Sequence, residues 1–224
     1  MNLSEMRTRV RRDLHDEDGA NYRWTDSELD RHIDRAVREL SLAAPREAKA
    51  TLTTTAESRE LSLSSLTDLV TVEAAEYPVD RYPPSYVPFS LWAGTLTILV
   101  DEVPLSAQPV NVYYGRLHTL DASTSTVPPQ LEEVVATGAA AYAALEWASF
   151  ATNRINAGGD DVWRQYLTWG QERLAVFAGA LAKHGRRNAV RARRLYAGRA
   201  GGGQRHALQL GLLDRHRRRL HTTP

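Results

Sequence analysis

Arginine is the residue type whose number and spacing carry the clearest chemistry in this sequence. Residues 185–224 contain 11 arginines and a single acidic residue, Asp214. Because the whole chain has 28 Lys and Arg against 27 Asp and Glu, the segment before residue 185 is acidic. Guanidinium groups bind phosphates and carboxylates through paired hydrogen bonds. The C-terminal segment is therefore expected to bind an acidic partner, either nucleic acid or a protein surface.

Three interpretations of this segment follow from its composition. It is a solvated tail, a tail that binds nucleic acid with salt-dependent affinity, or an arm that docks on a protein. Leucines lie between the arginines and need an apolar surface to cover, which favours the arm. We expect the arm to become ordered only on a partner, and its two halves, residues 187–196 and 206–220, could each be helical. The predicted partner-binding residues are Arg186, Arg187, Arg191, Arg193, Arg194, Tyr196, Arg199, Arg205, Leu208, Leu210, Leu212, Leu213, Arg217, Arg218 and Arg219.

Aromatic side chains surround a proline-rich segment in the middle of the chain. Four prolines between residues 78 and 88 predict a stiff loop between strands, because proline cannot donate a hydrogen bond to a strand ladder. The aromatic residues either fill the core of a sheet or form an interaction surface, since Tyr and Trp are enriched at protein interfaces. The candidate interaction residues are Tyr82, Tyr86, Phe89 and Trp92.

Motifs for catalysis are missing from the sequence. It has no cysteine and no GxSxG, GxGxxG, Walker or HExxH pattern, so we predict no enzyme activity, no catalytic residue, no cofactor and no metal site. An acidic cluster within residues 13–18 lacks the alternating order of a calcium-binding loop. We interpret this cluster as the solvated end of a helix, with His15 exposed. No apolar run approaches the roughly 20 residues of a membrane span, and a cytosolic origin is expected.

The elements that carry these groups begin with a predicted helical hairpin over residues 1–49. Apolar residues from Leu3 to Leu14 recur at three- and four-residue steps, which is typical of one helix face. Thr25 and Glu28 have the spacing of a capping box, in which the side chain of each residue bonds the backbone amide of the other. They predict the start of a second helix with its own apolar face.

The remaining chain is predicted to form a β domain, two helices and the arm. Residues 50–127 are expected to form an inserted antiparallel β domain with a hairpin turn at Ala93-Gly94, and residues 128–184 a helix pair opened by prolines. Residues 185–224 are the basic arm. The predicted fold class is α+β, with a four-helix bundle-like core, a small antiparallel β insertion and an extended C-terminal arm. The predicted strands are residues 59–63, 69–72, 87–92, 95–100 and 110–115.

Several segments, taken in order, resemble the head-to-tail adaptor (connector) proteins of tailed bacteriophages. The segment Trp24–Leu40, WTDSELDRHIDRAVREL, is similar to the start of these proteins. The resemblance continues through Glu76-Tyr-Pro78, the segment Val112–His118, VYYGRLH, and an alanine-rich helix pair. It covers about residues 1–184, whereas the arm has no matching motif.

The resemblance implies a structural virion protein in the neck of the phage. Such a protein forms a homo-oligomeric ring, usually twelve-fold, beneath the portal, joins the head to the tail and continues the DNA channel without sequence-specific DNA binding. The arm would then bind the portal, and the aromatic residues would bind tail or stopper proteins. The protein would be in the host cytoplasm during assembly, with no membrane partner. The alternative function is nucleic-acid binding through the basic segment, for example in genome packaging.

Overall fold

The computed structural model describes residues 1–105, 107–151 and 162–185, all within one compact unit that extends from Met1 to Val190. Within this described part, four α-helices and two antiparallel sheets make a mixed α+β fold, and no helix there is long and apolar enough to cross a membrane. In chain order the elements are α1 (Leu3–Asp13), α2 (Asp26–Ala43), β1 (Arg46–Thr53), β2 (Glu60–Ser62), β3 (Leu69–Glu76), β4 (Tyr86–Val87), β5 (Phe89–Trp92), β6 (Thr95–Ile98), β7 (Pro109–Arg116), a 3-10 turn (Pro129–Leu131), α3 (Glu132–Ala151) and α4 (Val162–Gly185).

Capping boxes open both N-terminal helices. At α2, the Thr25 hydroxyl accepts a hydrogen bond from the amide of Glu28, and the Glu28 carboxylate accepts one from the amide of Thr25, which confirms the predicted start. The side chain of Asn2 forms the same reciprocal pair with Glu5 at α1, where no cap was predicted. The predicted faces are also confirmed, because the side chains that recur at helical spacing are buried: Met6, Val10, Leu14, Leu29, Ile33, Ala36, Val37 and Leu40.

Helix α3 is buried around its whole circumference for three turns that follow its first two residues. Every residue from Val134 to Ala144 is buried, and most of them are alanine. At Gly138, a Cβ atom would lie 2.8 Å from the ring of Phe177 on α4, so that only glycine permits this approach. Small side chains therefore let α1, α2 and α4 pack around α3, and all four helices contribute to one hydrophobic cluster.

The strands form two sheets that share a hydrophobic cluster. The first sheet has the order β1-β7-β3-β4 and the second has the order β2-β6-β5. Strand β7 is central, and its eight residues pair with all eight residues of β1, from Arg46 opposite Arg116 to Thr53 opposite Pro109. Leu61, Leu96 and Ile98 from the second sheet and Val110 and Val112 from the first are buried together. The β region is thus a small two-sheet structure.

Strand boundaries differ from the predicted ones at three places, and one of them is β3, which continues to Glu76 although its predicted end was residue 72. The predicted strand over residues 87–92 is divided at Pro88 into β4 and β5, which belong to different sheets. Proline has no amide to donate to a ladder, so the chain can change sheets at that point. Strand β1 begins at Arg46, inside the segment predicted as the helical hairpin. The two-residue turn at Ala93-Gly94 is confirmed, with φ angles of 48° and 76° that suit a tight hairpin.

The acidic cluster within residues 13–18 is only partly the solvated helix end that the sequence predicted, because Glu17 and Asp18 are exposed but Asp16 is not. Asp16 is buried, and its carboxylate accepts hydrogen bonds from the Arg11 guanidinium (2.6 Å) and from the backbone amide of Arg23 (2.7 Å). Arg11 also donates to the Trp24 carbonyl and to the Asp26 carboxylate. This buried ion pair fastens the loop between α1 and α2 to α1, whereas His15 is exposed, as predicted.

Candidate partner-binding surface

Two of the predicted interaction residues are almost fully exposed. Trp92 ends β5 beside the Ala93-Gly94 turn, and 85% of its surface is accessible; Tyr82 lies in the proline-rich loop and is 99% accessible. Large aromatic side chains are usually buried when nothing else explains their presence. Their exposure therefore favours the interaction-surface interpretation for these two residues over the core interpretation.

The other two predicted residues have different surroundings. Phe89 is half-buried and packs against the cluster shared by the two sheets, which is the core interpretation. Tyr86 on β4 is about half exposed, and its ring meets the ring of Tyr113 edge to face, with centroids 5.8 Å apart. The four residues thus divide into an inward-packed Phe89, a half-exposed Tyr86 and the exposed pair Tyr82 and Trp92.

The tyrosine that contacts Tyr86, Tyr113, is itself held by a buried carboxylate. Glu76 is the last residue of β3, and one of its carboxylate oxygens accepts hydrogen bonds from the Tyr113 hydroxyl (2.7 Å) and from the side-chain amide of Asn111 (3.0 Å), both on β7. The Lys49 ammonium on β1 lies 5.3 Å from the Tyr113 ring centroid. These contacts connect β3, β7 and β1, and they hold Tyr113 in place against Tyr86.

The ionisation of this group follows from those hydrogen bonds. The hydrogen bond from Tyr113 is the largest cause that lowers the pKa of Glu76. The same bond raises the pKa of Tyr113 to about 12, because losing its proton would place two negative charges side by side. Glu76 is therefore an anion at neutral pH. Sequence reasoning missed its role, although it noted both the Glu76-Tyr-Pro78 segment and the segment with Tyr113 as parts of the resemblance.

The β region is joined to α2 through His118. Its backbone amide donates to the Ser41 hydroxyl at 2.9 Å, and its ring nitrogens lie 3.1 Å from the Ala44 carbonyl and 2.8 Å from the Thr126 carbonyl. At Gly115, a Cβ would lie 2.6 Å from the Pro45 side chain, so that β7 passes close to the turn after α2. These contacts set where the β region sits on the helices.

The predicted arm lies outside the described residues, and so do all of its candidate residues from Arg186 to Arg219. Its starting point is nevertheless defined. Gly185 ends α4 next to the end of α2, since a Cβ on Gly185 would lie 3.0 Å from the carbonyl oxygen of Ala43. The described part of the chain therefore ends beside Ala43, which precedes the first residue of β1 by three positions in the sequence.

Neither a metal cluster nor an enclosed site accounts for the cavity next to the loop after α1, which is lined by charged and aromatic side chains of the described part. No group of three or more His, Asp or Glu among the described residues could hold a metal ion. A cavity of about 590 Å³ lies beside the loop after α1, where the Arg23 guanidinium covers the rings of Trp147 and Tyr166 at 4.8 and 5.1 Å from their centroids. The Arg23 guanidinium also donates a hydrogen bond to the Tyr166 hydroxyl.

Comparison with models of protein families gives a match over most of the chain. The family model described as SU10 adaptor protein matches residues 1–200, which include all of the described residues and the first arginines of the basic segment. No curated protein matches the chain.

Proposed function

The chain belongs to the SU10 adaptor protein family of phage adaptor proteins, and on that premise we propose that it forms a ring between the head and the tail. The family is one of structural phage proteins and is not a known enzyme family, so the protein is a structural component of the virion in the head–tail region. In our proposal the ring is homo-oligomeric and twelve-fold, lies under the portal and continues the channel through which DNA passes.

The extent of the family match is the observation that carries this proposal. One model spans residues 1–200, so the helices, both sheets and the start of the basic segment belong to a single adaptor unit. We infer that the four helices act as a bundle-like core for the ring and that the basic segment is an extended arm. A rigid core with exposed side chains at its edges suits a protein that works by holding others together.

The two candidate surfaces receive different partners in this proposal. The arm, with its arginines and leucines, binds the portal, and the exposed Tyr82 and Trp92, supported by Tyr86, bind a tail or stopper protein. Phe89 contributes from within the core. An acidic body favours passage of DNA without retention, since like charges repel.

Localisation in the particle is the first test. Purified virions would be incubated with gold-labelled antibody raised against residues 1–185 and viewed by electron microscopy. Label at the single vertex between head and tail is expected, and antibody pre-absorbed with the purified protein is the control. Tailed particles that carry no label at that vertex, with the protein confined to infected-cell lysate, would contradict the proposal.

Assembly in vitro tests the partner and separates the alternative function. Full-length protein and a chain that ends at Gly185 would each be mixed with purified portal and measured by mass photometry. We expect a complex of one portal ring with about twelve copies of the full-length protein, and a much weaker complex with the shortened chain. The nucleic-acid alternative predicts instead that the full-length protein retards DNA in a gel at moderate salt and ignores the portal.

A further inference from the structure

Strand β1 is an open edge of the first sheet. It is the first strand in the order β1-β7-β3-β4, and its eight residues, Arg46–Thr53, pair with β7 along their whole length without a shift in register. Among the described strands, none pairs with the other side of β1. A regular edge of this length can accept a further strand through main-chain hydrogen bonds.

The hydrogen bonds of β1 show which of its backbone groups face outward. Directly after β1, in the same register, the Thr54 amide donates to the Gln108 carbonyl at 2.9 Å. Because the bonding direction alternates from residue to residue in an antiparallel pair, the even-numbered residues of β1 bond to β7 and the odd-numbered residues face away from it. The outward amides and carbonyls therefore belong to Glu47, Lys49, Thr51 and Thr53.

Two of these outward-facing residues carry opposite charges. Glu47 and Lys49 are both exposed and lie two positions apart, on the same face of β1. Glu47 forms no ion pair within the described residues, and the Lys49 ammonium lies over the ring of Tyr113. A strand with this pattern is complementary to a copy of itself, because an antiparallel arrangement can bring each glutamate opposite the lysine of the other copy.

Charge selects one register for such a pair. Among the two-fold registers that place outward-facing residues opposite each other, those centred on Glu47 or Lys49 put two like charges directly opposite, which is destabilising. The registers centred on Ala50 or Thr51 form no ion pair between these residues. The register centred on Ala48 places Glu47 of each copy opposite Lys49 of the other and forms two ion pairs.

The inward side of β1 is compatible with the same pair. Ala48 and Ala50 pack against the cluster shared by the two sheets, yet both are only half-buried, whereas Val110 and Val112 on the neighbouring strand are fully buried. At the centre, Ala48 would face its own copy in a non-hydrogen-bonded pair, where the Cα atoms are roughly 4.5 Å apart and the side chains are close. Pairing thus covers these alanines and joins two four-stranded sheets into one continuous sheet.

We propose that β1 is a self-pairing edge: in solution, β1 of one copy pairs antiparallel with β1 of a second copy about a two-fold axis at Ala48, so that Glu47 lies opposite Lys49 twice. One strand pair buries less surface than a standard protein interface, so the dimer is reversible and forms at high protein concentration. This inference does not rest on the ring, the portal or a tail protein. Its test and the localisation test can therefore fail independently.

Reversing the charges tests whether a second copy occupies the edge. Sedimentation velocity of the full-length protein over a concentration series would measure the Kd of the dimer. Glu47→Lys and Lys49→Glu should each raise this Kd about tenfold, because both ion pairs become repulsions. The double variant should restore it to within about threefold, since each pair is reversed but kept.

Glu60→Lys is the matched control for the charge reversal, because Glu60 is an exposed glutamate on β2, in the other sheet. The Kd of this variant should equal that of the wild type. A protein that stays monomeric at every concentration would overturn the proposal, since the edge is then covered in another way or left open. A dimer whose Kd ignores the charges of Glu47 and Lys49 would overturn it as well.

Single cysteines test the register. The protein has no cysteine, so one introduced cysteine can form a disulfide only with its copy in a second molecule. Ala48→Cys should give a disulfide-linked dimer under mild oxidation, because this residue faces itself across the axis. Ala50→Cys, and Thr8→Cys on the exposed side of α1, should remain mostly monomeric. Linkage that is strongest through Ala50→Cys, or linkage of Ala48→Cys no greater than that of Thr8→Cys, would overturn the proposal.

Discussion

The helices α1–α4 and the β region formed by β1–β7 bury their apolar residues in different ways. Helix α3 is enclosed by α1, α2 and α4, and Phe177 of α4 fills the space above Gly138. The β region shares one cluster between two small sheets, but leaves β1 open and exposes Tyr82 and Trp92. The helices therefore form the more completely enclosed cluster, and in our proposal the β region carries the surface for a tail or stopper protein.

This difference sets what a substitution should do in each region. A change inside the helical cluster removes contacts that nothing else can replace, because the close-packed interior relaxes only in part. A change on the exposed aromatic residues removes little from the folded monomer. Substitutions inside the helical cluster should therefore lower stability, whereas substitutions of the exposed aromatic residues should lower assembly without lowering stability.

The largest effect is expected at the centre of the helical cluster. Phe177→Ala should lower the free energy of unfolding by about 3–5 kcal/mol, because the buried ring leaves a cavity over Gly138. Val176→Ala, at the exposed neighbouring position, should change it by no more than about 0.5 kcal/mol. Urea denaturation followed by circular dichroism measures both. Equal losses from the two variants would show that α4 does not pack as described.

The next largest effect is expected at the buried ion pair after α1. Arg11→Met should cost about 3 kcal/mol, since it leaves the Asp16 carboxylate buried without its partner. Arg12→Met is the matched control, because Arg12 is exposed and its nitrogen lies 3.6 Å from Glu17. The same urea titration compares them. A small loss from Arg11→Met would mean that Asp16 is solvated after all.

A smaller effect, with a pH dependence, is expected in the β region. Glu76→Gln should lower the free energy of unfolding by about 2 kcal/mol at pH 7, because the hydrogen bonds from Tyr113 and Asn111 lose their charged acceptor. The pKa of Glu76 is lowered in the folded protein. Its stabilising effect is therefore complete above the unfolded pKa of about 4.3, and is lost as the pH falls through the lower folded value.

The comparison for this prediction is Glu47→Gln on β1, an exposed position in the same sheet. Urea titrations at pH 7, 5 and 3 should show the gap between wild type and Glu76→Gln closing at the lowest pH, while Glu47→Gln stays close to the wild type throughout. A gap that persists unchanged at pH 3 would assign the role of Glu76 to packing rather than to charge.

The smallest effect on stability is expected at the exposed aromatic pair. Trp92→Ser combined with Tyr82→Ser should change the free energy of unfolding by about 0.5 kcal/mol or less, because both side chains are solvated in the monomer. Attachment of tails to filled heads, counted by electron microscopy of complementation lysates, should nevertheless fall at least tenfold. Normal tail attachment would remove this pair from the proposed tail-protein surface.

Much of the secondary structure could be predicted because its causes lie close together in the sequence. The capping box of Thr25 and Glu28 involves residues three apart, and the apolar faces of α1 and α2 repeat every three or four residues. The turn at Ala93-Gly94 needs only its own backbone angles. The cap at Asn2 follows the same rule and was available to the same reasoning, since Glu5 stands three residues later.

The candidate surface was predicted only in outline. Tyr82 and Trp92 carry no local signal that separates them from Phe89, which packs inward, because exposure depends on which sheet each strand joins. Because the chain changes sheets at Pro88, Tyr86 and Phe89 belong to different sheets and differ in exposure. The sequence predicted the four aromatic residues as one group. The folded chain separates Phe89, which packs inward, from the exposed Tyr82 and Trp92.

The helices, most of the strands, the tight turn and the uneven distribution of charge follow from the amino-acid sequence, because each depends on neighbours within about four residues or on composition alone. The burial of Asp16, the hydrogen bonds of Glu76 to residues 35 and 37 positions away on β7, and the edge position of β1 are visible only in the folded chain. Burial and strand pairing depend on which distant segments meet, and residues far apart in the chain meet only when the whole core forms.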